Sequence, residues 1–150
     1  MKSAILTMLL SMAPVIELRG GIPFGVSQGL SPLEAAFFAI IGNLLPIPFL
    51  VVFTGKVFSY LKKRSERLEN FVKRLEAKAD KNKEMVLKYE FIGLVILVAI
   101  PLPGTGAWTG ALVSAVMEMK IKESMPAISL GVLIAALIVT SITYGVSAIV

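Results

Sequence analysis

The sequence predicts an all-α integral membrane protein built as an inverted repeat. Each half is expected to be a re-entrant helical hairpin plus one transmembrane helix, with a cytoplasmic amphipathic helix between the halves. Three observations carry this. Of the 150 residues 56% are hydrophobic and the mean hydropathy is +0.83, above the roughly 45–50% apolar content of soluble domains. Uncharged runs cover residues 35–55, 91–117 and 126–150; each can cross a hydrocarbon core of roughly 30 Å, which takes about 20 helical residues. Finally, the two halves share an order of parts: an apolar approach, a helix breaker, small residues four apart, then a long apolar span.

The first approach, residues 3–16, opens hairpin one (3–30). As a helix it reaches only about 21 Å, short of a bilayer core. Its opening "MKSAILTMLLSMA" has the outline of a signal peptide, but Pro14 would follow the cut and block it, so the segment is expected to be retained. The breaker "RGG" follows, then Gly21, Gly25 and Gly29, which line one helix face and allow close backbone approach. A transmembrane helix is expected over 33–58. In the second half the approach 91–100 reaches about 15 Å. "PLPG" breaks it, because Pro101 and Pro103 lack backbone donors. Gly106, Gly110 and Ser114 repeat the small-residue spacing at an offset of 85. Hairpin two is thus 91–117, and the last span 126–150. Four simple spans are the competing arrangement, since proline-kinked membrane helices are common.

Charge is confined to the middle. Residues 56–90 hold eleven Lys/Arg and six Asp/Glu, which accounts for the whole net charge of +5. A positive loop stays inside. Segment 60–90 is therefore expected to be cytoplasmic and both termini outside, in a multi-pass protein of the cell membrane. Leu61, Leu68, Phe71, Val72, Leu75 and Ala79 recur at helical spacing. This fits an amphipathic helix on anionic lipid or a partner, or equally a solvated connector. The interleaved acids and lack of an aromatic platform argue against nucleic acid.

The chain has no cysteine and no histidine, which leaves no thiolate or imidazole for a metal. No nucleophile–base set or phosphate loop is visible, so an enzyme, a metal and a cofactor are not expected. Chemistry concentrates at the two breakers. Glu17 and Arg19 are the only charges between Lys2 and Glu34, and ionisable groups inside a membrane are functional by default. Arg19 offers a planar donor fork suited to phosphate. Gly20 and Gly21 would expose backbone amides, and Pro23 fits the first turn of the returning helix. Across from them, Pro101, Pro103, Gly104, Thr105 and Gly106 form the second tip, with Thr105 as N-cap of a helix over 106–117. Two helix N-termini meeting there would favour an anion. Glu17 either neutralises Arg19 or carries a proton, and an extended tip would set both side chains on one side. Asn43, in "GNLLPIP", is expected to make an interhelical hydrogen bond, with a substrate role ranked behind it. Trp108, the sole tryptophan, is expected to pack.

"ELRGGIP" at 17–23, the Gly42–Asn43 pair and "PLPGTGAWTG" at 101–110 together resemble the small multidrug export proteins, a family related to the DedA superfamily of membrane proteins. The resemblance covers essentially the whole chain. It implies paired re-entrant hairpins and a transporter-like role; DedA relatives are linked to flipping lipids or recycling polyprenyl-phosphate carriers, with Glu17 matching their hairpin-one carboxylate. Hairpin two departs from them, since it carries no charge between Glu90 and Glu118. The expected activity is translocation of an anionic lipid or polyprenyl-phosphate carrier through Arg19, with protons coupled at Glu17. Two alternatives are proton-coupled small multidrug efflux and a non-transporting membrane scaffold. A homodimer through the glycine faces is expected to cover the polar tips.

Overall fold

The computed structural model describes residues 2–64, 83–102 and 105–147. Among these the regular elements are all helices: α1 (Lys2–Ser11), α2 (Glu17–Ser27), α3 (Pro32–Leu44), α4 (Ile47–Arg64), α5 (Lys83–Ala99), α6 (Ala107–Val116) and α7 (Ile121–Ser147). Residues 65–82, between α4 and α5, lie outside the described residues, and with them most of the segment expected to be a cytoplasmic amphipathic helix (60–90).

Helices α1 and α2 form an antiparallel hairpin. At its open end Ser3 Oγ donates to the Gln28 carbonyl at 3.3 Å. Midway, a Cβ on Gly21 would run into Ser11 Oγ, and one on Gly25 would meet Thr7 Oγ1 and Ala35 Cβ at 2.8 Å. Only glycine permits this spacing. Thr7 and Ser11 are fully buried and each turns its hydroxyl onto its own helix, donating at 2.8 Å to the Ser3 and Thr7 carbonyls. The glycine face expected to join two copies is therefore used inside one chain, between α1, α2 and α3. Pro23 lies inside α2, not in its first turn, because the helix starts at Glu17 and leaves no extended tip over 17–19.

The exits from the two hairpins are alike. Gly29, at φ +86°, closes α2 with its N–H donating to the Val26 carbonyl, while Leu30 donates to Gly25. Glu118, at φ +55°, closes α6 with bonds to Ala115 and from Met119 to Ser114. Both are the left-handed C-terminal motif that satisfies last-turn carbonyls. Next, Ser31 caps α3 through a reciprocal box: Glu34 N–H donates to Ser31 Oγ at 3.3 Å, and Ser31 N–H to Glu34 Oε2 at 2.9 Å. Prolines 46 and 48 interrupt the ladder at residues 45–46, so the apolar span Pro32–Thr54 is two helices end to end.

Helix α5 starts at Lys83, eight residues before the uncharged run, since surface charges do not stop a helix. It lies against α6 and α7. A Cβ on Gly110 would meet Val98 Cγ2 at 2.6 Å, and one on Gly131 would meet Val98 Cβ at 2.6 Å and the Val95 carbonyl at 2.9 Å. Gly42 is equally crowded by the Met8 carbonyl. Thus Gly29 and Glu118, the starts of α3 and α7, and the packed glycines Gly42 and Gly131 all stand 89 residues apart. The small residues that align at an offset of 85 also align at 89, Gly21 with Gly110 and Gly25 with Ser114, because residues four apart match again when slid by four.

The core is narrow and built of small residues, among them Ala35 and Ala39 of α3, Ala107 and Ala111 of α6, and Ala127 of α7, packed around Leu18, Ile22, Ile47, Ile128 and Val132. The outside is apolar as well. Leu33, Phe37, Ile41, Leu45, Phe49 and Phe53 make an exposed stripe down α3 and α4, and Leu130, Leu133 and Leu137 one on α7. Spans Pro32–Thr54 and Ile121–Gly145 are long and apolar enough to cross a membrane, yet only 33% and 39% of them is buried in the bundle. A core helix of a soluble protein would be mostly covered. These faces suit lipid, in keeping with a multi-spanning membrane fold.

Candidate functional site

The turns of the two hairpins meet. The first, residues 12–16, leads into Glu17, whose φ of +49° is left-handed. For a residue with a Cβ this conformation costs about 1–3 kcal/mol and persists only where the surroundings enforce it. Here it aims the Glu17 side chain across to the second hairpin. The carboxylate is 3% exposed; its Oε1 accepts from the Trp108 backbone N–H at 3.3 Å. Trp108 is the second residue of α6, so Glu17 supplies the N-terminal cap that this helix lacks: Gly106 is its N-cap and has no side chain to offer. A Cβ on Gly106 would collide with the Glu17 carboxylate, and φ there is +119°. Glycine is needed twice over at that position.

Arg19 reaches across in the same direction. Its Nη1 donates to the Leu102 carbonyl and, at 3.0 Å, to the Thr105 carbonyl. Its Nη2 donates at 3.0 Å to the Ile100 carbonyl and at 2.8 Å to Thr105 Oγ1. Both terminal nitrogens are occupied by the second tip. The remaining donor, Nε, is buried without a hydrogen bond and stands 4.0 Å from Glu17 Oε2. The ion pair is therefore a loose one, and the fork expected for phosphate is filled by backbone. Thr105 is not the N-cap of α6. Its hydroxyl turns back and bonds the Ile100 and Leu102 carbonyls, each at 2.7 Å, which the Pro101 turn leaves without helical partners. In exchange, the Trp108 indole N–H donates to the Met12 carbonyl at 3.1 Å, satisfying the end of α1.

Beside this joint lies a cavity of about 430 Å³, lined by Pro14, Val15, Glu17, Arg19, Pro101, Leu102, Thr105 and Thr109. Its size lies within the range of small-molecule sites, and its walls combine apolar surface with a few polar groups. Of the expected site residues, Glu17, Arg19, Pro101, Thr105 and Gly106 are brought together here. Gly20 and Gly21 sit in α2 against Ile16 and Ser11, packing rather than baring their amides. Asn43 is 1% exposed on the last turn of α3, and neither its amide nitrogen nor its oxygen has a partner among the described residues; the expected interhelical bond is not formed. Pro103 and Gly104 lie outside the described residues. Sequence reasoning missed the Met12, Ile100 and Leu102 carbonyls, which no side chain announces, and the two donors of Trp108. A lone tryptophan next to a breaker, away from any membrane interface, was the available signal.

Among the described residues no group of three or more His, Cys, Asp or Glu is arranged to hold a metal. Neither a curated protein nor a solved structure matches the chain. Residues 17–138, which run from the buried carboxylate to the middle of the last span, match the family model described as "Putative small multi-drug export protein", and the chain belongs to that family.

Proposed function

We propose that the protein is a proton-coupled exporter of small amphiphilic molecules, in which substrate and proton take turns at Glu17. The observation that carries this is the state of the two charges at the joint. Arg19 has both terminal nitrogens committed to carbonyls and to Thr105. Glu17 has one backbone bond of 3.3 Å and an ion pair of 4.0 Å. The loosely held group on the cavity wall is thus the carboxylate, an acceptor for a basic or hydrogen-bond-donating head on a largely apolar molecule. A proton on Glu17 removes its charge and weakens it as an acceptor, which releases the cargo. Carriage of an anionic lipid headgroup by Arg19 is supported less, because its donors would first have to leave the second tip. The family's printed description, a small multi-drug export protein, points the same way.

The membrane arrangement belongs to this reading. The hairpins enter from opposite faces, α3 with α4 and α7 span the bilayer, the 60–90 connector is cytoplasmic and the termini are outside. The positive loop supports this orientation, and the coincidences at 89 residues support an inverted repeat. With both joints near mid-depth, the cavity sits where alternating access requires it.

The test uses proteoliposomes holding a pH-sensitive dye. An imposed ethidium gradient is expected to drive proton counterflow with the wild type and none with Glu17→Gln. Wild-type counterflow in that variant would remove the reading.

A further inference from the structure

Arg19 is a half-buried charge that the proposed exchange at Glu17 does not use. A charge inside a membrane is costly, so its retention needs a reason. The second tip supplies one. Pro101 follows the end of α5 and has no N–H to give. The Ile100 and Leu102 carbonyls each keep one turn bond, from the Leu102 and Thr105 N–H groups at 2.9 and 3.2 Å, and their remaining acceptor capacity has no water to turn to in a bilayer. Three carbonyls of this turn, at Ile100, Leu102 and Thr105, converge on one guanidinium, and the Thr105 hydroxyl completes the set. The acceptors belong to Ile100, Leu102 and Thr105 and do not share one helix face. A planar fork with fixed donor directions can bridge them at once; an ammonium, a point charge on a flexible stem, cannot.

We infer that Arg19 is a positioning residue: it holds the second tip in the shape that forms the cavity wall and places the start of α6 on Glu17, and it does not bind the substrate. The inference rests on the proposed site at Glu17 for its transport consequences, while its structural consequence stands without it. Leu102 and Thr105 line the cavity, and Thr105 leads directly to Gly106 and Trp108, which meet the carboxylate. Loss of the clamp therefore frees the wall and the cap together. It acts on every cargo alike, whatever its charge.

Trp108, the only tryptophan, reports on this joint directly, since its indole bonds the opposite hairpin. Acrylamide quenching of its emission in ligand-free protein is the first readout. Arg19→Lys and Arg19→Ala are each expected to raise the quenching constant several-fold with helix content by circular dichroism unchanged. Thr105→Val should give a smaller rise that is not additive with Arg19→Lys, as expected for groups in one network. Transport is the second readout, with one cationic fluorescent amphiphile and one neutral one whose head carries hydrogen-bond donors; both should fall by the same factor in Arg19→Lys. Wild-type quenching in Arg19→Lys, or transport that falls for one probe and not the other, would overturn the inference and return Arg19 to the role of substrate ligand. Should Arg19→Ala fail to fold, Arg19→Lys and Thr105→Val decide the matter. Failure of the Glu17 reading leaves the quenching result untouched, so the two are separable.

Discussion

At the scale of single residues, two side chains do the work that two helix ends cannot do for themselves. Glu17 covers one N–H at the start of α6, that of Trp108, and Arg19 covers the carbonyls that follow α5. Each is charged because it faces a helix end of opposite partial charge. Gly106 is the third member of this contact, although it has no side chain. Gly106→Ala would place a methyl on the Glu17 carboxylate and force a φ of +119° on a residue that avoids it, at a cost of about 1–3 kcal/mol. The expected result is a rise in Trp108 quenching and transport reduced as in Glu17→Gln, with circular dichroism unchanged. Wild-type transport in Gly106→Ala would mean that Glu17 works without resting on α6. Glu17 and Arg19 stood out in the sequence as charges within an apolar stretch. Their partners did not, since Ile100 and Leu102 contribute main-chain carbonyls and Trp108 a main-chain N–H, groups common to nearly every residue.

At the scale of elements, breakers and caps define the helices. Ser31 and Glu34 close the start of α3 in a spacing that the sequence displays as S-P-L-E. Ser31→Ala should lower stability by about 1 kcal/mol, the usual worth of an N-cap, read as a lower unfolding midpoint in mild detergent with transport retained. An unchanged midpoint would show that packing alone holds that end of α3. Boundaries were harder to read where two signals compete. Gly20, Gly21 and Pro23 look like a broken tip, yet α2 runs through them, because Pro23 gives up one hydrogen bond while α1 and α3 pack closely on the glycine face. Similarly, α7 begins ahead of Pro126 at Ile121. Packing overrode local propensity at both places.

At the scale of the whole molecule, the exposed apolar faces and the narrow alanine core describe a bundle that is finished by lipid. The hydrogen bond from Ser3 to Gln28 puts both ends of hairpin one together. Single cysteines at Lys2 and Gln28 are therefore expected to label from the same side of intact vesicles, and one at Lys120 from the opposite side. The chain has no cysteine of its own to interfere. Labelling of positions 2 and 28 from different sides would make hairpin one a full span and end the inverted repeat.

The sequence by itself determined the class of molecule, the break at Pro101, the charge of the connector and the pair of charges at Glu17 and Arg19, because hydropathy and charge depend on composition along the chain. It could not set the register between the halves, since small residues four apart fit equally well after a shift of one turn. Only the tertiary structure decided that like features of the two halves stand 89 residues apart and that the glycines pack within the chain. It alone decided, too, that Arg19 grips the opposite backbone instead of standing free. The physical reason is common to all three: which unpaired carbonyls and N–H groups face each other across two hairpins is a property of their packing, and a desolvated charge goes wherever those groups converge.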